Sequence, residues 1–272
     1  MIKTTPFEMV FIIREIMTEQ EMRSLVPQTI ANIEKEHGIR VLYAAEAGSR
    51  ARGIASQHSD FDVRFLYIRP REDYLRLEEV RDVLELPVDE VWDLSGWDLS
   101  KTLRLLHGGN TQIFEWLNSP IVYWDRDFAD RFRQLLEQYF SPKTMAHYYL
   151  NVGLANLKRA QGSEVKVKVY LYIAQYLLGA KYVLEHRAFP PMNFRTLIGS
   201  LPGPVREEVE ELLYQKLYHP EERLTHPRQG LYDYFAREAE QLKQKIFALP
   251  GEAQPGWEDL NRFFLAELEN MY

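Results

Sequence analysis

The stretch of sequence that decides the fold begins with Gly48-Ser49-Arg50-Ala51-Arg52-Gly53. A spacer that ends at Ser59 follows, and the stretch closes with Asp60-Phe61-Asp62. The residues before it, 40–47, contain a short apolar run that predicts a strand. The glycine and the serine break this strand, and a polar segment leads to the two aspartates. A second apolar run, Phe61–Ile68, predicts a second strand. The sequence therefore predicts two strands joined by a Gly-Ser turn and a polar loop.

The residue types in this stretch suit phosphate and metal binding. Gly48 lets the backbone approach a ligand closely, and the Ser49 hydroxyl can hold phosphate oxygens together with backbone N–H groups. Side chains alternate along the second strand, so Asp60, Asp62 and Arg64 share one face. Because magnesium takes oxygen ligands, usually a few carboxylates and substrate phosphates, the paired aspartates favour a Mg²⁺ site. Mn²⁺ is the alternative ion.

An isolated Asp-x-Asp pair also has a simpler interpretation, in which Asp60 caps a turn and Asp62 is a solvated strand residue. The order strand, Gly-Ser turn, loop, Asp-x-Asp, strand favours the functional interpretation, because it supplies the structural context that such a motif needs. Two metal ions held there would stabilise the attacking and leaving oxygens of an in-line displacement.

The motif resembles the signature of the DNA polymerase beta-like nucleotidyltransferase superfamily. More narrowly, the chain resembles the bacterial and phage proteins described as RNA-ligase-associated predicted nucleotidyltransferases. The residues that carry this narrower resemblance are 48–53, 96–101, Asn110, 115–117, 119–123 and 168–172. The resemblance implies transfer of a nucleoside monophosphate from a nucleoside triphosphate, with ATP expected, to a hydroxyl acceptor and release of pyrophosphate.

The resemblance also implies a third carboxylate on a neighbouring strand, for which residues 88–94 are the candidate. Asp93 lies late in this predicted strand, just before a break at Gly96, and is the expected third acid. It would accept a proton from the attacking hydroxyl or help a metal to ionise it. Asp98 is the alternative, although it precedes a helical pattern over 99–106 and also suits a helix N-cap.

Basic and aromatic residues predict where the nucleotide binds. Arg50 and Arg52 place positive charge beside the Gly-Ser turn. In a predicted helix over 164–187, Lys168 and Tyr172 are four residues apart and share a face. By the resemblance, the lysine would meet the triphosphate and the tyrosine would stack on the nucleoside or hydrogen-bond to it. Ordinary packing of Tyr172 and solvation of Lys168 are the alternative.

Composition narrows the classes of protein. The 272 residues, 46 % of them hydrophobic, are enough for one large or two modest domains with a core. The absence of cysteine excludes disulfides and thiolate metal sites. A net charge of −7 argues against a broadly basic nucleic-acid surface. With no signal-peptide pattern and no apolar run of membrane-spanning length, we expect a cytoplasmic protein without a membrane partner.

Strand patterns are confined to the first half of the chain, and helical patterns dominate the second half. We therefore expect an α+β fold. Residues 1–140 would form a nucleotidyltransferase catalytic domain with a small mixed sheet flanked by helices. Residues 141–272 would form an α-helical bundle domain that binds nucleotide and substrate, with the boundary at Ser141-Pro142.

Together with the resemblance, these features predict a metal-dependent nucleotidyltransferase with Asp60, Asp62 and Asp93 as its catalytic and metal-binding acids. The acceptor hydroxyl would belong to an RNA end, a small molecule or a protein side chain. The alternative is a non-catalytic nucleotide-binding or antitoxin-like partner protein that keeps the fold without turnover. The intact Gly-Ser turn and both aspartates favour the enzyme.

Overall fold

The computed structural model describes residues 18–57, 59–86, 92–219 and 223–271. Its packing divides the chain into two compact units. The first unit consists of residues 1–50, 60–139 and 254–272, and the second of residues 51–59 and 140–253. The fold is α+β, as the sequence predicted, with a mixed sheet in the first unit. None of the helices in the described ranges is both long enough and apolar enough to cross a membrane.

The first unit contains a sheet and the helices that flank it. In chain order its elements are α1 (Glu19–His37), β1 (Arg40–Glu46), α2 (Gly48–Ala51), β2 (Phe61–Ile68), β3 (Val83–Glu85), β4 (Trp92–Asp98), α3 (Leu99–His107), α4 (Thr111–Leu117), β5 (Val122–Asp125) and α5 (Ala129–Gln138). The strand order across the sheet is β3-β4-β2-β1-β5. β2 and β4 run parallel, and the other neighbouring pairs are antiparallel.

Strand β2 divides its side chains between the two faces of the sheet. Phe61, Val63 and Phe65 are buried in a core that also contains the apolar face of α1. Asp62 and Arg64 alternate with them and are half-buried on the opposite face. The period-2 pattern in the sequence therefore gives one apolar face that packs against α1. The opposite face is polar at Asp62 and Arg64 and buried further along the strand, at Leu66 and Ile68.

Strand β4 differs from the sequence prediction. Residues 88–91 of the predicted third strand lie outside the described residues, and β4 continues through Gly96 to Asp98 instead of ending before the glycine. The reason is packing. A Cβ built on Gly96 would lie 2.1 Å from the ring of Phe65 in β2, so the glycine provides space for that ring.

The second unit is almost entirely helical. Its elements are α6 (Pro142–Arg159), β6 (Val165–Lys166), α7 (Val167–His186), α8 (Phe194–Ile198), α9 (Gly203–Tyr218), β7 (Leu224–Thr225) and α10 (Gln229–Ala248). Helices α6, α9 and α10 all pack against α7, and β6 pairs with β7. The segment 51–59 belongs to this unit, and the carbonyl of Arg52 accepts a hydrogen bond from the Phe194 N–H at 3.0 Å.

The last helix, α11 (Glu258–Glu269), returns to the first unit. Its Glu267 accepts an ion-paired hydrogen bond from Arg131 of α5 at 2.7 Å. The ring of Phe263 packs against Phe128 and Phe132, with centroid distances of 5.8 and 5.4 Å. The predicted domain boundary near residue 140 coincides with the start of the long segment of the second unit. It places residues 51–59 and 254–272 differently from the observed packing.

Candidate active site

The Gly-Ser turn brings backbone next to a carboxylate. β1 ends at Glu46, and Gly48 opens the single helical turn α2 with a φ of 57°. A Cβ built on Gly48 would lie 1.8 Å from Oδ2 of Asp62. Only glycine accommodates both the left-handed backbone and this close approach. The turn and the aspartate therefore form one local structure, which is also tied by a hydrogen bond of 2.7 Å from the Ala47 N–H to the Asp62 carbonyl.

Asp62 and Asp93 lie side by side on adjacent strands. They are register partners in the parallel pair β2–β4, and both side chains are half-buried. Neighbouring strands are about 4.8 Å apart, so register partners on one face are within reach of a common cation. Asp93 lies five residues before the end of β4, because the strand continues beyond Gly96, where the sequence predicted a break, to Asp98.

Arg64 holds both carboxylates. Its Nη2 donates to Oδ2 of Asp93 at 2.7 Å and to Oδ1 of Asp62 at 3.3 Å. Its Nη1 donates to the carbonyls of Asp93 and Val63 at 2.9 and 3.1 Å. The sequence placed Arg64 on the face of the aspartates but did not predict this contact. The guanidinium neutralises part of their negative charge.

Asp60 lies just before β2 and is exposed. Arg50 contacts this part of the motif, because its Nε donates to the Asp60 carbonyl at 3.1 Å and its guanidinium lies 3.7 Å from the ring centroid of Phe61. Ser49, in α2, is half-buried. Arg50 thus reaches across the loop from the turn to the start of the aspartate strand.

Glu46 is a residue of this site that sequence reasoning missed. It is fully buried, and its Oε1 accepts the Asp62 N–H at 2.8 Å while its Oε2 accepts the Tyr123 hydroxyl at 2.7 Å. Burial raises the pKa of Glu46 to about 7, and the two hydrogen bonds oppose this shift. A glutamate that ends an apolar strand directly before a Gly-Ser turn is the signal that could have identified it. Glu46 positions the backbone of the aspartate strand.

Asp98, the alternative third acid, lies at the other end of β4 and pairs in register with Tyr67. It is the N-cap of α3, since its Oδ1 accepts the Ser100 N–H at 2.8 Å, and its Oδ2 accepts the Tyr74 hydroxyl at 2.8 Å. Burial raises its pKa. Five residues of strand place it about 16 Å from Asp93. Its observed contacts are those of a helix cap.

Three predicted nucleotide-binding residues lie in the second unit. Arg52 is buried at 9 % exposure in the segment that contacts α8. Lys168 is the second residue of α7, and Tyr172 lies one turn later; both are half-buried. The Tyr172 ring contacts Tyr176 edge-on, with centroids 6.4 Å apart. Lys168 and Tyr172 therefore share a helix face, as their spacing predicted.

The donor set of the first unit fits a hard divalent cation. Asp62 and Asp93 provide carboxylate oxygens, which Mg²⁺ and Mn²⁺ prefer, and Gly48 leaves room for the Asp62 carboxylate, with which a Cβ at residue 48 would collide. Within the described residues, no three His, Cys, Asp or Glu side chains converge as a preformed metal site. The guanidinium of Arg64 occupies the point where the two carboxylates meet.

Comparison with known proteins shows what the chain is similar to. The model of the RNA repair pathway DNA polymerase beta family matches residues 22–266. The "Uncharacterized protein YcgL" of Bacillus subtilis (strain 168) is 34 % identical over 255 residues, which cover 92 % of this chain and 98 % of that protein. A nucleotidyltransferase-like protein from Exiguobacterium sibiricum 255-15 aligns over 93 % of this chain and 80 % of its own, with 15 % identity and a TM-score of 0.29.

Proposed function

We propose that this chain, which belongs to the RNA repair pathway DNA polymerase beta family, is a metal-dependent nucleotidyltransferase. It would transfer a nucleoside monophosphate from a nucleoside triphosphate, with ATP expected, to a hydroxyl and release pyrophosphate. The observation that carries the proposal is the contact of the Gly48 turn with Asp62, with Asp93 beside it in register. This arrangement supports the proposal, because a glycine turn whose N–H groups would bind phosphate lies against a pair of carboxylates that would bind a metal ion.

The residues of the first unit divide the chemistry between them. Asp60, Asp62 and Asp93 would hold Mg²⁺ or Mn²⁺, which when bound lowers the pKa of the acceptor hydroxyl and neutralises phosphate charge. Backbone N–H groups at Gly48 and the Ser49 hydroxyl would bind phosphate oxygens. The carboxylate of Asp93 would accept the proton of the attacking hydroxyl.

The remaining predicted residues would bind the nucleotide. Arg50 contributes positive charge beside the turn, where it is already held against the start of β2. Arg52 and Lys168 would contribute further charge, and Tyr172 would contact the nucleoside. A change of any of these would raise the apparent KM for the nucleotide more than it lowers turnover.

An RNA end is the proposed acceptor. The family description refers to RNA repair, and the charge of the chain is unevenly distributed. Lysine and arginine outnumber aspartate and glutamate in the second unit, whereas acidic residues outnumber basic ones in the first. An acidic overall charge is therefore compatible with a basic unit that attracts a polyanion.

Pyrophosphate release tests the proposal. Purified protein is incubated with Mg²⁺, each nucleoside triphosphate in turn and RNA with free hydroxyl ends. We expect pyrophosphate release and labelling of the RNA by the α-phosphate. Asp62→Asn and Asp93→Asn should reduce the rate at least about a hundredfold. Asp98→Asn is the matched control, because asparagine also caps helices and should preserve activity.

Two outcomes would change the assignment. Loss of activity in Asp98→Asn with full activity in Asp93→Asn would make Asp98 the third acid. Nucleotide binding without pyrophosphate release, for every triphosphate and acceptor, would favour the alternative of a non-catalytic nucleotide-binding or antitoxin-like partner protein.

A further inference from the structure

Arg64 occupies the position that a metal ion would need. A single atom, Nη2, lies within hydrogen-bond distance of one oxygen from each of Asp62 and Asp93, at 3.3 and 2.7 Å. Two carboxylates that converge on one point repel each other unless a cation lies between them. In the described structure that cation is the guanidinium, and its side chain is only 17 % exposed.

The same point cannot hold both cations. A divalent ion coordinated by these carboxylates would lie about 2 Å from their oxygens, within the volume that Nη2 fills. Its double positive charge would also repel the guanidinium at that distance. Binding of one cation therefore requires that the other one leave.

Arg64 also makes hydrogen bonds to the main chain that do not involve the two carboxylates. Its Nη1 donates to the main-chain carbonyls of Val63 and Asp93. These carbonyls belong to β2 and β4, whose backbones are held by the sheet. The guanidinium can therefore turn away from the carboxylates while its side chain stays on the same face.

We infer that Arg64 is a built-in counter-ion that competes with the divalent metal for Asp62 and Asp93 and is displaced when the metal binds. The inference rests on the proposed function, because it concerns the metal that this function requires. It assigns a regulatory role to Arg64: the metal-free site is held together by an internal cation, and metal affinity is lower than the carboxylates alone would give.

Metal affinity in the absence of nucleotide tests this inference without measuring turnover. Mn²⁺ binding is titrated by electron paramagnetic resonance for the wild-type protein and Arg64→Gln. The Kd of Arg64→Gln for Mn²⁺ should fall at least about tenfold, since a competing positive charge has been removed. Adding Asp62→Asn to Arg64→Gln should abolish the gain and thereby locate the ion.

The matched control is Arg126→Gln. Arg126 pairs with both carboxylate oxygens of Glu34 at 3.0 Å in the same unit, away from the proposed metal ligands. Its removal should leave Mn²⁺ affinity unchanged. An unchanged or weaker Mn²⁺ affinity in Arg64→Gln would overturn the inference, and would show that Arg64 stabilises the site without competing with the metal ion.

A second measurement serves if Arg64→Gln does not fold. In the ¹⁵N-labelled wild-type protein, the Nε–Hε signal of Arg64, assigned through Arg64→Lys, should shift on addition of Mg²⁺, while that of Arg126 stays in place. An Arg64 signal that does not respond to saturating Mg²⁺ overturns the inference.

The inference and the proposed function can fail separately. Pyrophosphate release by the wild-type protein, combined with no gain of Mn²⁺ affinity in Arg64→Gln, would leave the function intact and remove the inference. A gain of affinity that depends on Asp62, combined with no turnover of any triphosphate, would support the inference and remove the function.

Discussion

Residue 48 must be glycine for two reasons, its left-handed backbone and its close approach to the Asp62 carboxylate. Its φ is 57°, and its Cβ position lies 1.8 Å from Oδ2 of Asp62. Gly38 has a similar φ of 62° but nothing within 4 Å of its Cβ position. The two glycines therefore separate the effect of backbone strain from that of a collision with the carboxylate.

Gly48→Ala should be more destabilising than Gly38→Ala. The control should lose about 1 kcal/mol, because alanine resists the left-handed conformation. Gly48→Ala should lose at least about 1 kcal/mol more, because Asp62 must also move. Urea unfolding measures both losses. Pyrophosphate release should fall only in Gly48→Ala, and equal effects of the two changes would refute the role of the close approach.

Glu46 makes stability depend on pH. Its pKa is raised from the ordinary 4.5 to about 7 by burial, so its protonated form is favoured in the folded protein. Its contribution to stability is fully present below about pH 4.5 and is lost as the pH rises through about 7. The change corresponds to about 3 kcal/mol.

Glu46→Gln should therefore flatten the dependence of unfolding free energy on pH between about 4.5 and 7. Glutamine keeps an oxygen for the Asp62 N–H and can donate to the Tyr123 oxygen. Chemical unfolding across this range measures the slope for the wild-type protein and the variant. An identical slope in both proteins would show that another group titrates.

At the scale of elements, β2 and β4 pack together where the Phe65 ring of β2 lies against Gly96 of β4. Gly96→Ala should destabilise the protein by about 2 kcal/mol, because the new methyl group meets the Phe65 ring 2.1 Å away. Gly96→Ala combined with Phe65→Leu should lose less than the sum of the two separate losses. Denaturant unfolding of all four proteins gives the coupling energy, and strict additivity would contradict the packing explanation.

The packing of Phe65 on Gly96 also explains why the sequence prediction of the end of β4 was wrong. Glycine usually interrupts a strand, so the sequence pattern indicated an end of β4 before Gly96. The aromatic ring that requires this glycine belongs to another strand, and local periodicity contains no information about it. The helix predicted over 164–187 is observed at Val167–His186, close to its predicted bounds, because helical periodicity is a local signal.

At the scale of the whole molecule, α11 belongs to the first unit although it follows the second one in the chain. Arg131 pairs with Glu267, whose side chain is only 4 % exposed. Arg131→Met should destabilise the protein by about 2 kcal/mol, because it leaves the buried carboxylate of Glu267 unpaired. The loss should be smaller than for a fully buried ion pair, since the Arg131 side chain is itself partly exposed to solvent.

Glu267→Gln in the Arg131→Met background should recover part of that loss, because glutamine removes the unpaired charge. Thermal unfolding of the two variants and the wild-type protein measures the recovery. If the double variant is no more stable than Arg131→Met, the ion pair does not hold α11 in place.

The sequence by itself determined the α+β class and the turn, strand and aspartates of the motif, because these depend on patterns among residues close in the chain. It did not predict the short strands β3, β6 and β7. It also led to the superfamily through the same short stretch. The tertiary structure decided which residues contact each other. Asp93 lies beside Asp62 in register, Arg64 donates hydrogen bonds to both carboxylates, and Glu46 accepts one from the Asp62 N–H. These contacts depend on register and hydrogen bonds between strands, and a partner such as Asp93 lies 29 residues from Arg64 in the chain.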